Sequence, residues 1–220
     1  PAVRVIETEV DKLVGRTRKA NKEIDETGKV AERAKRALGQ LASAFAIKEL
    51  VGNVTKVRGE FQQLEVAFTT MLGSAERADG LMKELVKTAA TTPFGLEDVA
   101  GGAKQLLAYG LEAEKVNETL IRLGDIAAGL SVGLNDLVYL YGTTMAQGRL
   151  YTQDLNQFTG RGIPMLKELA KQFGVAESEV KSLVEAGKVG FPEVQKGIES
   201  LTDEGGTFCG LMEAQSRTIT

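Results

Sequence analysis

From Val3 the apolar or small positions fall at Val3, Ile6, Val10, Leu13, Thr17, Ala20, Ile24, Thr27, Ala31, Ala34, Leu38, Leu41 and Phe45, alternating steps of three and four without a slip. That spacing predicts a coiled-coil-like helix about six heptads long, roughly 65 Å at about 1.5 Å per residue. The seam is weak at its centre. Thr17, Ala20, Thr27, Ala31 and Ala34 bury little area, and Gly15 and Gly28 each cost about 1 kcal/mol of helix propensity. The helix therefore needs a partner strand, so self-association through residues 3–45 is expected, in an oligomeric state that Ala and Thr at the seam do not choose. A long helix packed on its own domain is the alternative this pattern leaves open.

After Gly52 the pattern shortens and gains punctuation. The spacing predicts helices over 54–72 and 75–90, parted by Gly73-Ser74 with Ser74 as an N-cap. Thr91-Thr92-Pro93-Phe94-Gly95 then forces a break. The next helix carries Glu97 and Asp98 in its first turn, where carboxylates favour the positive end of the dipole, and its apolar face is Val99, Ala103, Leu106 and Leu107, with Gly110 as its C-cap. Further stripes follow at Val116, Leu120, Leu123, Ala127 and Leu130; at Leu134, Leu137, Val138, Tyr141 and Met145; and at Leu166, Leu169, Ala170 and Phe173. Val180, Leu183 and Val184 mark a short helix, and Val194, Ile198 and Leu201 the last one, with Gly148, Gly174 and Gly187 as stops. Period-2 alternation is nowhere sustained and prolines stand only at positions 1, 93, 164 and 192. The fold class expected is all-α: an arm over 1–52, then a compact multi-helix domain over 53–220.

Composition narrows the chemistry. Histidine is absent, which removes the commonest general base, the Ser-His and Cys-His pairs and most zinc and iron ligand sets. No catalytic residue, cofactor or metal site is expected. Cys209, the one cysteine, cannot form an intrachain disulfide and is expected to be a buried thiol. No window approaches the roughly 18 consecutive apolar residues of a membrane helix. Residues 1–60 carry 13 Lys and Arg against 9 Asp and Glu, a balance of +4, while residues 61–220 balance at −7. The basic run at Arg33, Lys35 and Arg36 lacks interleaved aromatics and sits among carboxylates, so a solvated helix flank accounts for it better than nucleic acid.

Gly101-Gly102 and Gly160-Arg161-Gly162 belong to no Walker or Rossmann pattern, and no strand precedes either. Glu97 with Asp98, or Glu112 with Glu114, are too close along a helix to converge on a substrate, although a carboxylate pair assembled from distant segments stays open. The stretch from Ile126 to Gly148 is poor in charge and rich in glycine, as in a tightly packed central hairpin or a surface covered by another chain. The 25 glycines are about 11% of the chain, against a usual share of about 7%. They mark either a body marginal enough to unfold or simply helix ends. Because the chain opens on Pro1 and stops at Thr220 within a polar phrase, it is expected to be a segment of a longer one.

Several longer phrases occur in a specific order. Phe61-Gln62-Gln63-Leu64-Glu65-Val66-Ala67-Phe68-Thr69-Thr70-Met71-Leu72-Gly73-Ser74 is followed by Ala90-Thr91-Thr92-Pro93-Phe94, by Leu106-Leu107-Ala108-Tyr109-Gly110 and by Leu123-Gly124-Asp125-Ile126-Ala127-Ala128-Gly129-Leu130. Then come Gly148-Arg149-Leu150-Tyr151-Thr152-Gln153-Asp154-Leu155-Asn156-Gln157-Phe158 and Gly160-Arg161-Gly162-Ile163-Pro164-Met165. Over roughly residues 55–205 this succession resembles the N-terminal region of tape measure proteins of long-tailed bacteriophages and prophages. Gly101-Gly102 departs from the ordinary helix formers expected there, which implies a locally loosened helix.

The resemblance implies a structural role: a chain that runs inside the tail tube, sets tail length, is coated beforehand by tail assembly chaperones and meets tube and initiator or baseplate proteins. It implies the bacterial cytoplasm during assembly and the tail lumen afterwards. It carries over no active site, only a structural motif at Thr92, Pro93, Phe94, Gly110, Gly124, Asp154, Gly162 and Pro164. A generic helical scaffold or signalling interaction domain with a coiled-coil arm is the alternative from the residues alone, and a cell-wall-cleaving enzyme a more distant one.

Overall fold

The computed structural model of the chain describes residues 61–216, so the heptad seam over 3–45 and the expected boundary at 52/53 lie outside the described residues. The described chain opens in helix α1 over residues 61–72, which stops at Gly73. Ser74 then accepts the Arg77 N–H on its Oγ at 3.3 Å and starts α2, Ala75–Thr91. Thr92 is extended, and Pro93 keeps the chain out of helix until Gly95, whose N–H donates to Asp98 Oδ2 at 3.3 Å at the start of α3, Leu96–Ala108. Three later helices open the same way, a carboxylate three residues in accepting the capping N–H: Asp154 in α6 (Thr152–Gly160), Glu179 in α8 (Glu177–Glu185) and Glu193 in α9 (Phe191–Thr202). In these four helices the carboxylate three residues past the cap is thus spent on an orphan amide.

Between these lie α4, Ala113–Leu130, α5, Leu134–Gln147, and α7, Met165–Phe173. Gly110 stands one residue beyond the cap position of α3, not at it as expected: Tyr109 caps, and Gly110 at φ 95° lets the Leu111 N–H reach back to the Leu106 carbonyl at 3.0 Å. At the end of α4 the same left-handed turn falls on Ser131, at φ 54°.

Two corrections concern the C-terminal part. The helix at Val194 to Leu201 is not the last, because residues Leu211–Ser216 form a further short helix, α10. Cys209 is exposed rather than buried; in the turn before α10, Phe208 takes the inward position and its neighbour faces out. All regular structure among the described residues is helical, apart from an isolated antiparallel bridge between Arg149 and Gly190. There the Leu150 N–H donates to the Val189 carbonyl at 2.9 Å and ties the start of α6 to the start of α9.

From Gln62 onward the described chain is one unit, and α4 lies at its middle, in contact with α2, α3, α5, α9 and α10. One apolar core runs from Phe68 and Leu85 through Leu106, Leu123 and Leu137 to Phe158 and Ile198, and the Tyr141 ring meets Phe191 edge-on at 5.0 Å. Burial pushes the Tyr141 phenol up to about 12. The helix α3 runs unbroken through Gly101-Gly102, against the loosening expected there. A Cβ on Gly102 would lie 2.8 Å from Leu120 Cδ2 and 3.3 Å from Val138 Cγ2, so its bareness lets α3 approach α4 and α5 closely. Gly142 serves α5 likewise beneath the Tyr109 ring. Within the glycine-rich stretch α4 and α5 pack against each other, with Leu134, Leu137 and Val138 buried.

Gly80 differs, since it lies exposed in α2 with nothing within 4 Å of a would-be Cβ. Gly80→Ala is expected to stabilise the domain by about 0.5–1 kcal/mol, read as a higher urea midpoint at unchanged slope.

Candidate functional site

The motif residues fall into three places. Thr92, Pro93 and Phe94 form the turn between α2 and α3, and Phe94 Cε2 comes within 3.4 Å of where a Cβ on Gly124 would stand, so the second phrase closes over the fourth. Asp154, Gly162 and Pro164 bracket α6: Asp154 holds its first turn, Gly162 follows its end at φ 87°, and the Pro164 carbonyl accepts the Glu168 N–H at 3.1 Å at the start of α7. Gly162 also faces Leu130 Cδ2 of α4, 3.3 Å from a would-be Cβ. Gly110 stands apart, exposed at the end of α3. They stand at turns, at helix ends and at a close contact between helices.

The charged cluster that does assemble was not singled out from the sequence. Arg122, in the second turn before the end of the α4 core stripe, donates through Nη1 to Asp203 Oδ1 at 2.6 Å and to Thr202 Oγ1 at 3.0 Å, and through Nη2 to Glu118 Oε1 at 3.0 Å. Burial works against the guanidinium charge, but the hydrogen bonds to Asp203 and Glu118 outweigh it and raise its pKa above the ordinary value. These residues share a shallow, carboxylate-rich groove with Glu84, Asn117 and Glu204. One turn further along α4, the buried Asp125 accepts the Met212 N–H at 2.9 Å on Oδ1 and the Gly210 N–H at 3.2 Å on Oδ2. It caps α10 from another helix. Four of the five guanidinium N–H groups of Arg122 meet acceptors and both oxygens of Asp125 are engaged, so the cluster fastens α4 to the segment that follows α9.

Burial pushes the Asp125 carboxyl above its ordinary value; the Met212 and Gly210 amides and the Arg122 charge pull it back only in part, and Glu213 adds to the rise. A carboxyl with a raised folded pKa binds its proton more tightly folded than unfolded, so its contribution to stability is full in acid and is lost as pH climbs through the raised value. Relative to Asp125→Asn, the wild-type chain is therefore expected to lose stability as pH rises from about 4 towards 7, in urea titrations at fixed ionic strength.

Away from the groove the surface offers aromatic contact points. Tyr139 of α5 is 57% exposed and Tyr151 42%, with the Arg149 guanidinium 4.1 Å above the Tyr151 ring centroid. Among the described residues, no helix is long and apolar enough to cross a membrane.

No curated protein and no solved structure matches the chain. A family model described as "Tape measure protein" matches residues 52–220, which takes in every helix from α1 to α10 and each of the quoted phrases. A match over that share of the chain, on an all-helical unit whose quoted phrases supply its caps and close contacts, establishes that the chain belongs to the tape measure protein family.

Proposed function

We propose that residues 53–220 are a docking or packing module of a tape measure protein, engaging tail assembly chaperones or the initiator and baseplate proteins, while tail length is measured by chain outside this segment. Membership of the tape measure protein family supports a structural role in a phage tail. The observation that carries the finer reading is the folding-back of the chain. The longest described helix, α4, has 18 residues and the chain turns after each helix. At about 1.5 Å per residue, α4 is about 27 Å long, and a compact body of this size spans about 40 Å, whereas 220 residues in one helix would reach about 330 Å. A globule makes a poor ruler. Exposed Tyr139 and the Arg149–Tyr151 pair supply the residue types enriched where proteins meet.

In this reading the arm over 1–52 self-associates, the motif residues Thr92, Pro93, Phe94, Gly110, Gly124, Asp154, Gly162 and Pro164 maintain the fold of the module, and the protein passes from the bacterial cytoplasm to the tail lumen. The test is an in-frame deletion of residues 61–205 in the phage. Loss of assembled tails is the expected result; tails shortened in proportion to the residues removed would overturn the proposal. Light scattering on residues 1–220 against 61–220 assigns self-association to the arm or denies it.

A further inference from the structure

After α9 the chain doubles back and lays residues 203–216 along α4, with which α10 makes its main contacts. The reversal is tight: the Phe208 N–H donates to the Leu201 carbonyl at 2.9 Å, and a Cβ on Gly206 would stand 2.5 Å from the Leu201 carbonyl oxygen. Two bare positions on α4 receive the segment. Phe208 and Leu211 settle on Gly129, with ring and methyl carbons 2.6 and 2.7 Å from a would-be Cβ, and Met212 settles on Gly124. Phe208 and Met212 are 5% and 4% exposed. Polar ties complete the seat: Asp125 caps the first turn of α10, Gln215 Nε2 donates to the Ala128 carbonyl at 2.7 Å, and Arg122 holds Asp203.

Among the described elements α10 makes its main contacts with α4, which supplies its cap through Asp125 and its floor at Gly124 and Gly129. Without residues 203–216, α4 keeps its contacts with α2, α3, α5 and α9, and the core from Leu85 to Ile198 loses only its edge at Phe208, Leu211 and Met212. We propose that residues 203–216 are a detachable strap, a unit that undocks from α4 while α2 to α9 stay folded and so uncovers a glycine-floored groove at Gly124 and Gly129 with the Asp125 carboxylate at its centre. This goes beyond the docking reading and does not depend on it.

Hydrogen exchange followed by mass spectrometry on the 220-residue chain tests the strap. Amides of residues 208–216 are expected to exchange at least about tenfold faster than those of residues 137–144, through an opening that urea barely accelerates, and Asp125→Ala speeds the strap alone by about a further tenfold. Equal protection in the two segments, or acceleration of both by Asp125→Ala, overturns the proposal. Should Asp125→Ala fail to fold, Met212→Asp decides instead, read by a spin label on Cys209, the chain's one cysteine and an exposed one. The label is expected to become mobile while helix content and the urea transition of the body persist; label release only together with that transition overturns the strap.

Discussion

Truncating Phe158 to alanine is expected to lower the unfolding free energy by about 3–5 kcal/mol, out of the 5–15 kcal/mol typical of a whole domain. The ring is 1% exposed, and it sits on α6, the nine-residue helix that touches α5, α7 and α8. So short a helix has little stability of its own to fall back on, and its other fully buried side chain is Leu155. Loss of the ring leaves a cavity among α5, α6, α7 and α8, where the Asp154 cap and the pairing of Leu150 with Val189 already fix the start of α6. In a thermal melt the midpoint is expected to fall by about 6–20 °C, at about 2–4 °C per kcal/mol for a domain of this size. A drop of only a degree or two would mean that α6 collapses onto its neighbours without cost.

The second large effect is one of overpacking. Gly142→Leu is expected to destabilise by about 2–3 kcal/mol even though leucine is the better helix former by about 1 kcal/mol. A Cβ at position 142 would run into Tyr109 Cδ2 and Cε2, and the Tyr109 hydroxyl is 3.5 Å from Thr143 Oγ1, one residue along α5, so the ring is anchored at its far end as well. The decisive measurement is a double-mutant cycle in urea. In a Tyr109→Ala background the Gly142 substitution is expected to cost far less, with a coupling of about 1–2 kcal/mol between the sites. Additive losses would show that Gly142 matters for some reason other than this contact. Gly80→Ala is the opposite case, gaining stability because no neighbour stands in the way.

Those two glycines look alike in sequence, and their contrast marks how far the sequence could be read. Breaks and starts were legible where one residue type does one local job: Ser74 as a cap, Pro93 as a stop, Gly174 and Gly187 beyond helix ends. Core stripes were legible because four or five apolar residues at helical spacing allow few other arrangements. The α6 helix was not predicted, since only Leu155 and Phe158 are apolar and buried within it and two residues set no period. α10 was illegible for a physical reason: its six residues carry no periodicity of their own, and what makes them a helix is Asp125, more than eighty residues earlier. Asp125 itself lay inside a quoted phrase, and a lone carboxylate within the apolar run from Leu123 to Leu130 was the available signal. Ser131 concealed its left-handed turn because glycine is the usual marker of that conformation.

The Asp125–Met212 hydrogen bond spans 87 residues, and that separation has a consequence for synthesis. At about 5–20 residues per second on the ribosome, roughly 4–17 s pass between the emergence of the α4 glycines and the arrival of the helix that covers them. Throughout that interval α10 is not yet there to cover Gly124 and Gly129. Any factor that meets the chain as it is translated reaches this face before α10 does, so the order of arrival, and not affinity alone, decides which of them occupies it first.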